Sequence, residues 1–189
     1  GGVLREVLKH PRVKKIDQVE IDQLVVELSK KFISPGLENC YEDPRVNLYI
    51  ADGLDYLKNS DSIYDLIVCD STENVGPGTS LFTSQFYSLC YDRLKNNGIL
   101  ALQTGIPFCN PQTLPNVYSK LKPLFDTVQT YSFVVPSYSG GETTCTIAAK
   151  GFKDFDNEVV LHNCNAIKNR TKYYNKKTQW YLGILPSKN

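Results

Sequence analysis

The residues best suited to chemistry form one nonapeptide, Asp70-Ser71-Thr72-Glu73-Asn74-Val75-Gly76-Pro77-Gly78. Asp70 follows the apolar run Tyr-Asp-Leu-Ile-Val-Cys directly. Such a run reads as a central parallel strand covered on both faces, which puts the Asp70 carboxylate at the strand's exit. Glu73 lies three residues on, close enough to share one cationic ligand. Two carboxylates at one mouth suit a positive substrate such as an amine. A base for an amine must hydrogen-bond it and take its proton as the new bond forms. The plainer alternative is an acidic turn that caps the next helix.

Three further strand ends carry polar groups: Glu20, Asp52 and Gln103. A carboxylate after the second strand of a doubly wound sheet accepts two ribose hydroxyls, one per oxygen. Glu20 fits that role, with Gly1-Gly2 about twenty residues before it; its alternative is a solvated surface glutamate. Asp52 is placed to accept from the exocyclic amine of an adenine, and Gly53 lets a flat base approach the backbone. Asp-Gly is also a common turn.

The elements that must position these groups follow from periodicity. Apolar spacing predicts helices over 3–10, 23–32 (with Asp22 as cap), 54–59, 81–94 and 113–125, the last interrupted by Pro115. Strands are expected over 14–21, 46–51, 64–69, 99–103, 127–135 and 143–149, and the polar tail from 151 is expected to wrap the surface. Strands alternating with helices give an α/β fold, a doubly wound and mostly parallel sheet, whose ligands sit at the carboxyl ends of the strands. Two glycines followed at once by a helical pattern read as the end of a glycine-rich turn. Residues 1–189 are accordingly read as a single nucleotide-binding catalytic domain and as a fragment.

Composition removes other classes. With 189 residues, 41% hydrophobic and 22% charged, the chain can bury one sizeable core. A net charge of +1 gives no electrostatic case for nucleic acid or a membrane surface. No run approaches the ~18 apolar residues of a membrane span. The six cysteines, at 40, 69, 90, 109, 145 and 164, lie too far apart in sequence for zinc-ribbon or redox CxxC motifs. Reduced thiols in a cytoplasmic protein are expected, and the sequon at Asn169-Arg170-Thr171 then means nothing.

The motifs together resemble the spermidine synthases, the polyamine aminopropyltransferases, and the likeness runs the full length of the chain. Gly1-Gly2-Val3-Leu4-Arg5-Glu6 resembles the second half of that family's G-G-G-D-G-G-x-x-R-E motif. Val19-Glu20-Ile21-Asp22 resembles its x-E-I-D, Ala51-Asp52-Gly53 its x-D-G, and the nonapeptide its D-S-[ST]-[DE]-P-x-G-P loop. Gln103, Pro136-Ser137-Tyr138 and Tyr173-Tyr174-Asn175 fall in family order.

The resemblance implies a Rossmann-like transferase of the S-adenosylmethionine-dependent type. Its co-substrate would be decarboxylated S-adenosylmethionine, with no prosthetic group and no metal. Gly1, Gly2, Glu20, Asp52, Gly53, Asp70 and Pro77 would bind the donor. Asp70 would act as base, and Asp70, Ser71, Thr72, Glu73, Gln103 and Tyr138 would hold a diamine, putrescine by default. A homodimer or homotetramer is implied for the full-length protein. Departures are Asn74, where the family has proline, and Gln179-Trp180-Tyr181-Leu182-Gly183, where it has H-x-A-x-F. The family's small N-terminal β-domain has no counterpart in these residues. An S-adenosylmethionine methyltransferase is the competing enzyme, but the acidic pair would repel its substrate's carboxylate. A non-catalytic homologue is the competing non-enzyme.

Overall fold

The computed structural model describes residues 1–33, 39–71, 74–151, and residues 175, 177 and 178. The backbone divides into two compact units, Gly1–Asp61 and Ser62–Asn189.

The first unit begins with helix α1 (Gly2–Leu8), followed by β1 (Ile16–Glu20), α2 (Gln23–Phe32), β2 (Val46–Ile50) and α3 (Gly53–Asn59). Asp22 caps α2, its carboxylate accepting from the Leu24 amide at 2.8 Å. That satisfies one of the donors every helix start leaves open. β1 and β2 pair in parallel, Ile16 opposite Val46 and Glu20 opposite Ile50. The small core gathers Leu4 and Cys40 with Leu8, Ile16, Tyr41 and Val46. The turn before β2 is clamped by Arg45. Its guanidinium donates to the Asp43 carboxylate at 2.8 and 2.9 Å and to the carbonyls of Leu8 (3.1 Å) and Val13 (3.4 Å).

The second unit contains β3 (Tyr64–Cys69), a 3-10 helix (Gly76–Phe82), α4 (Ser84–Asp92), β4 (Leu94–Gly105), α5 (Thr113–Leu121), β5 (Thr127–Val134) and β6 (Glu142–Ala149). Its sheet runs β3-β4-β6-β5. β3 and β4 are parallel; β6 is antiparallel to both β4 and β5. Strands and helices alternate as far as β5; β6 follows β5 with no α-helix between and runs in the opposite sense. Phe82, Phe86, Tyr87, Cys90, Leu94, Leu100, Leu102, Val117, Leu121 and Phe125 are buried here.

Several boundaries differ from the periodicity: the first helix ends at Leu8, β1 is trimmed to Ile16–Glu20, and the helix expected over 113–125 stops at Leu121. The helix expected over 81–94 breaks at Thr83, whose hydroxyl caps α4 by accepting from the Phe86 amide. The strand expected over 99–103 starts at Leu94. Asn97 takes a positive φ of 64° and the ladder slips between Tyr64 and Leu66, so the Asn97-Gly98 turn is absorbed as a bulge. Gly98 is required there, since an added Cβ would meet the Lys95 carbonyl at 2.8 Å. Pro115 does not interrupt α5: it falls in the first turn, where the missing N–H has no partner to lose.

Candidate active site

In the first unit, the carboxyl ends of two neighbouring parallel strands carry Glu20 and Asp52. The Ala51 amide donates to the Glu20 carbonyl at 3.0 Å and ties the ends together. Glu20 is half-buried, and its Oε1 accepts from the Asp22 amide at 3.2 Å. Asp52 is the N-cap of α3, where its Oδ1 accepts from the amides of Leu54 (2.8 Å) and Asp55 (3.1 Å). Gly53 is the first residue of that helix. The Asp-Gly pair therefore does structural work here whatever else it binds, and the cap fixes the direction of the carboxylate.

Gly1 caps α1 through its carbonyl, which accepts from the Arg5 amide at 3.0 Å. A Cβ on Gly1 would lie 2.7 Å from the Tyr41 hydroxyl, whereas Gly2 faces open space. Tyr41 itself carried no sequence signal. Burial raises its phenol pKa, and the Glu20 charge pushes it further the same way.

In the second unit, Cys69 pairs with Leu102, so Asp70 and Gln103 are the next step on two adjacent parallel strands. Asp70 is exposed and Gln103 half-buried. With its amide nitrogen turned toward the carboxylate, Gln103 donates to Asp70 Oδ1 and to the Ser71 carbonyl, both at 3.2 Å. Two thiols flank the aspartate. Burial raises Cys69 and Cys145 to about 11, and the Asp70 charge adds to both shifts. Both stay protonated at neutral pH and add no charge to the site.

Register places a further predicted residue, Tyr138. Gly105 pairs with Thr144 and Val134 with Glu142, so the β5–β6 connection, 135–141, lies at the same sheet end as the carboxyl ends of β3 and β4. Tyr138 is on that connection, with its backbone N–H donating to the Val135 carbonyl at 2.9 Å. Pro77 is exposed in the 3-10 helix, just after Gly76, whose φ is 58°. Thr72, Glu73 and the 179–183 departure lie outside the described residues. So do the tail from 152 to 174, with Tyr173, Tyr174 and the sequon, and the break at Ser34-Pro35-Gly36.

Among the described residues no helix is long and apolar enough to cross a membrane. No three His, Cys, Asp or Glu side chains of those residues gather where a metal ion could be held.

An exposed carboxylate at a strand exit, oriented by a neighbouring amide, is common to many transferases; the sequence around it decides which. The family model of the spermine/spermidine synthase domain matches residues 1–158. The chain belongs to that family. It is 38% identical over 186 residues to the polyamine aminopropyltransferase of Bacillus subtilis (strain 168), covering 98% of this chain and 66% of that protein. It is 39% identical over 187 residues to that of Bacillus cytotoxicus, with the same coverage of 98% and 66%. The fold matches a spermidine synthase solved with the transition-state analogue AdoDATO at a TM-score of 0.87 and 32% identity, over 98% of this chain and 63% of that one. It matches the Thermotoga maritima spermidine synthase at 0.83 and 30%, over 98% and 61%. The chain thus spans about 66% of the length of the curated relatives it matches.

Proposed function

We propose that the protein containing this chain transfers the aminopropyl group of decarboxylated S-adenosylmethionine to putrescine, giving spermidine and methylthioadenosine. Residues 1–189 serve as its nucleotide-binding catalytic part. The observation that carries the reading is Asp70: an exposed carboxylate at the exit of β3, 3.2 Å from the Gln103 amide, in a chain of this family.

The chemistry follows from the charges. The acceptor arrives as an ammonium and has no lone pair until it loses a proton. Asp70 accepts that proton, and the Gln103 amide keeps its carboxylate oriented. The nitrogen lone pair then attacks the aminopropyl carbon bound to the sulfonium. The C–N bond forms as the C–S bond breaks, and the electron pair leaves on sulfur as the neutral thioether. One proton passes to Asp70 and then to water. A sulfonium leaves without metal assistance. In this reading Glu20 accepts the ribose hydroxyls and Asp52 with Gly53 takes the adenine, alongside Gly1, Gly2 and Pro77. Ser71, Thr72, Glu73 and Tyr138 join Gln103 around the diamine, and the full-length protein acts in the cytoplasm as a homodimer or homotetramer.

The test offers the full-length protein decarboxylated S-adenosylmethionine with putrescine, cadaverine, agmatine or spermidine, and quantifies methylthioadenosine and the polyamine formed. The expected result is equimolar spermidine and methylthioadenosine with putrescine, and no turnover of S-adenosylmethionine. Absence of product with every amine overturns the reading.

A further inference from the structure

We propose that Phe108 is a specificity-determining residue for the acceptor, its ring forming the apolar wall along which the methylene chain of a diamine lies. The proposal rests on the aminopropyl-transfer reading above.

Phe108 is 81% exposed, more than any other large apolar side chain among the described residues. A single exposed apolar side chain is ordinary; this one differs in being held in place from two sides. β4 ends at Gly105, which has a φ of 93° and whose carbonyl accepts from the hydroxyls of Thr143 (3.0 Å) and Thr144 (3.1 Å). The chain then folds into a tight turn. The amides of Cys109 (3.0 Å) and Asn110 (2.9 Å) both donate to the Ile106 carbonyl, and the Thr113 amide donates to that of Asn110 at 3.2 Å. Phe108 is at the tip of this turn.

On its other side it rests on Gly140. That residue has a φ of 81°, and a Cβ there would lie 2.9 Å from Phe108 Cβ and 3.1 Å from Cγ. Any side chain at 140 would unseat the ring. Gly140 is two residues past Tyr138, which is 39% exposed on the same connection. The Cys109 thiol, 3.9 Å from the Ser139 carbonyl, joins the two loops again. The register already puts both loops at the sheet end that bears Asp70 and Gln103.

One edge of this unit therefore presents a carboxylate and two aromatic side chains. A diamine needs both: an anion for the reacting nitrogen and apolar surface for the carbons between its nitrogens. An aromatic face also attracts an ammonium passing over it. Each methylene laid on such a wall changes affinity by about 4- to 10-fold, so the wall discriminates chain length.

The experiment measures kcat and KM of the full-length protein for 1,3-diaminopropane, putrescine and cadaverine, in wild type, Phe108→Ala and Phe108→Leu. Methylthioadenosine affinity and thermal melting are measured on each. Because the ring is exposed, both variants are expected to melt as wild type does. Phe108→Ala should raise KM for putrescine about 10-fold and flatten the preference among the three diamines. Its kcat and methylthioadenosine affinity should stay within about 2-fold of wild type, and Phe108→Leu should fall between. Wild-type turnover with an unchanged KM and diamine profile in Phe108→Ala overturns the assignment alone. Absence of wild-type turnover with all three diamines overturns the aminopropyl-transfer reading, and this proposal with it.

Discussion

Both units place acidic or amide side chains at the carboxyl ends of parallel strands, but they hold them differently. In the first unit backbone amides grip the carboxylates: Asp22 N on Glu20, Leu54 N and Asp55 N on Asp52. In the second, Asp70 is exposed and meets a side-chain amide, Gln103. A carboxylate held by backbone donors keeps its direction, which suits recognition of a rigid nucleoside. A carboxylate exposed at a strand exit can exchange a proton with a bound ligand, which suits a base. In the proposed reading this contrast would divide binding from chemistry, and each unit can be attacked separately.

The largest effect is expected from Asp70→Asn in the full-length protein. An amide cannot take the ammonium proton, so kcat should fall by ~10²–10⁴-fold, the usual contribution of a general base. Methylthioadenosine affinity, measured by calorimetry, should not move. If turnover stays near wild type, the second unit does not supply the base.

Glu20→Gln should give the reverse pattern. The amide offers one acceptor oxygen where the carboxylate offers two, and hydrogen bonds to a charged group contribute ~1.5–3 kcal/mol. Methylthioadenosine should bind ~10- to 100-fold more weakly, with kcat at saturating donor much less affected. A calorimetric affinity equal to that of wild type removes Glu20 from the ribose.

Asp52 separates two roles within one residue. Asp52→Ala removes the α3 cap and should destabilise the first unit by ~1 kcal/mol, whereas Asn is as good a cap as Asp. Asp52→Asn should therefore preserve the melt while weakening methylthioadenosine binding. If Asn restores both stability and affinity in full, the aspartate is a cap and nothing more.

How much of this was legible in the sequence depends on whether a residue's partner is local. Helix α2 begins at Gln23 because Asp22 caps it two residues away, and β3 is a continuous apolar run; both were readable to the residue. Asp70, Glu20 and Asp52 were readable as strand ends. Tyr138 was found through the family motif, and only the antiparallel register of β6 shows it sharing a sheet end with Asp70. What was missed depends on distant partners. Arg45 reaches back to the carbonyls of Leu8 and Val13. Thr104, Thr130, Thr144 and Thr146 form a buried hydroxyl network across three strands. Phe108 is placed by a glycine 32 positions on, at Gly140. A threonine in a strand or a glycine in a loop looks ordinary until the pairing is known.

The smallest expected effect tests the contrast through acid. Two described carboxylates with displaced pKa values, Asp43 and Glu6, lie in the first unit. Arg45 holds Asp43 down to about 2, first through the side-chain hydrogen bond. A depressed carboxylate contributes stability above its unfolded pKa, near 3.8, and that contribution is lost as pH falls toward 2. The second unit has paired carboxylates of its own, Asp65 with Lys95 and Glu142 with Ser132, but its β4, β5 and β6 are also tied by threonine hydroxyls, which do not titrate in that range. Between pH 4 and 2, backbone amides of β1 and β2 should therefore lose hydrogen-exchange protection before those of β4 and β6. The shift should be modest, because the Asp43–Arg45 pair is only half-buried and ion pairs that solvent still reaches contribute little. Arg45→Gln should return the Asp43 carboxyl titration, followed by its carbon chemical shift, toward the ordinary aspartate range. It should also loosen β1 and β2 at neutral pH, since the bonds to Leu8 and Val13 go with the guanidinium. Simultaneous loss of protection in both units, in wild type and variant alike, would show that the two units do not differ in how acid reaches them.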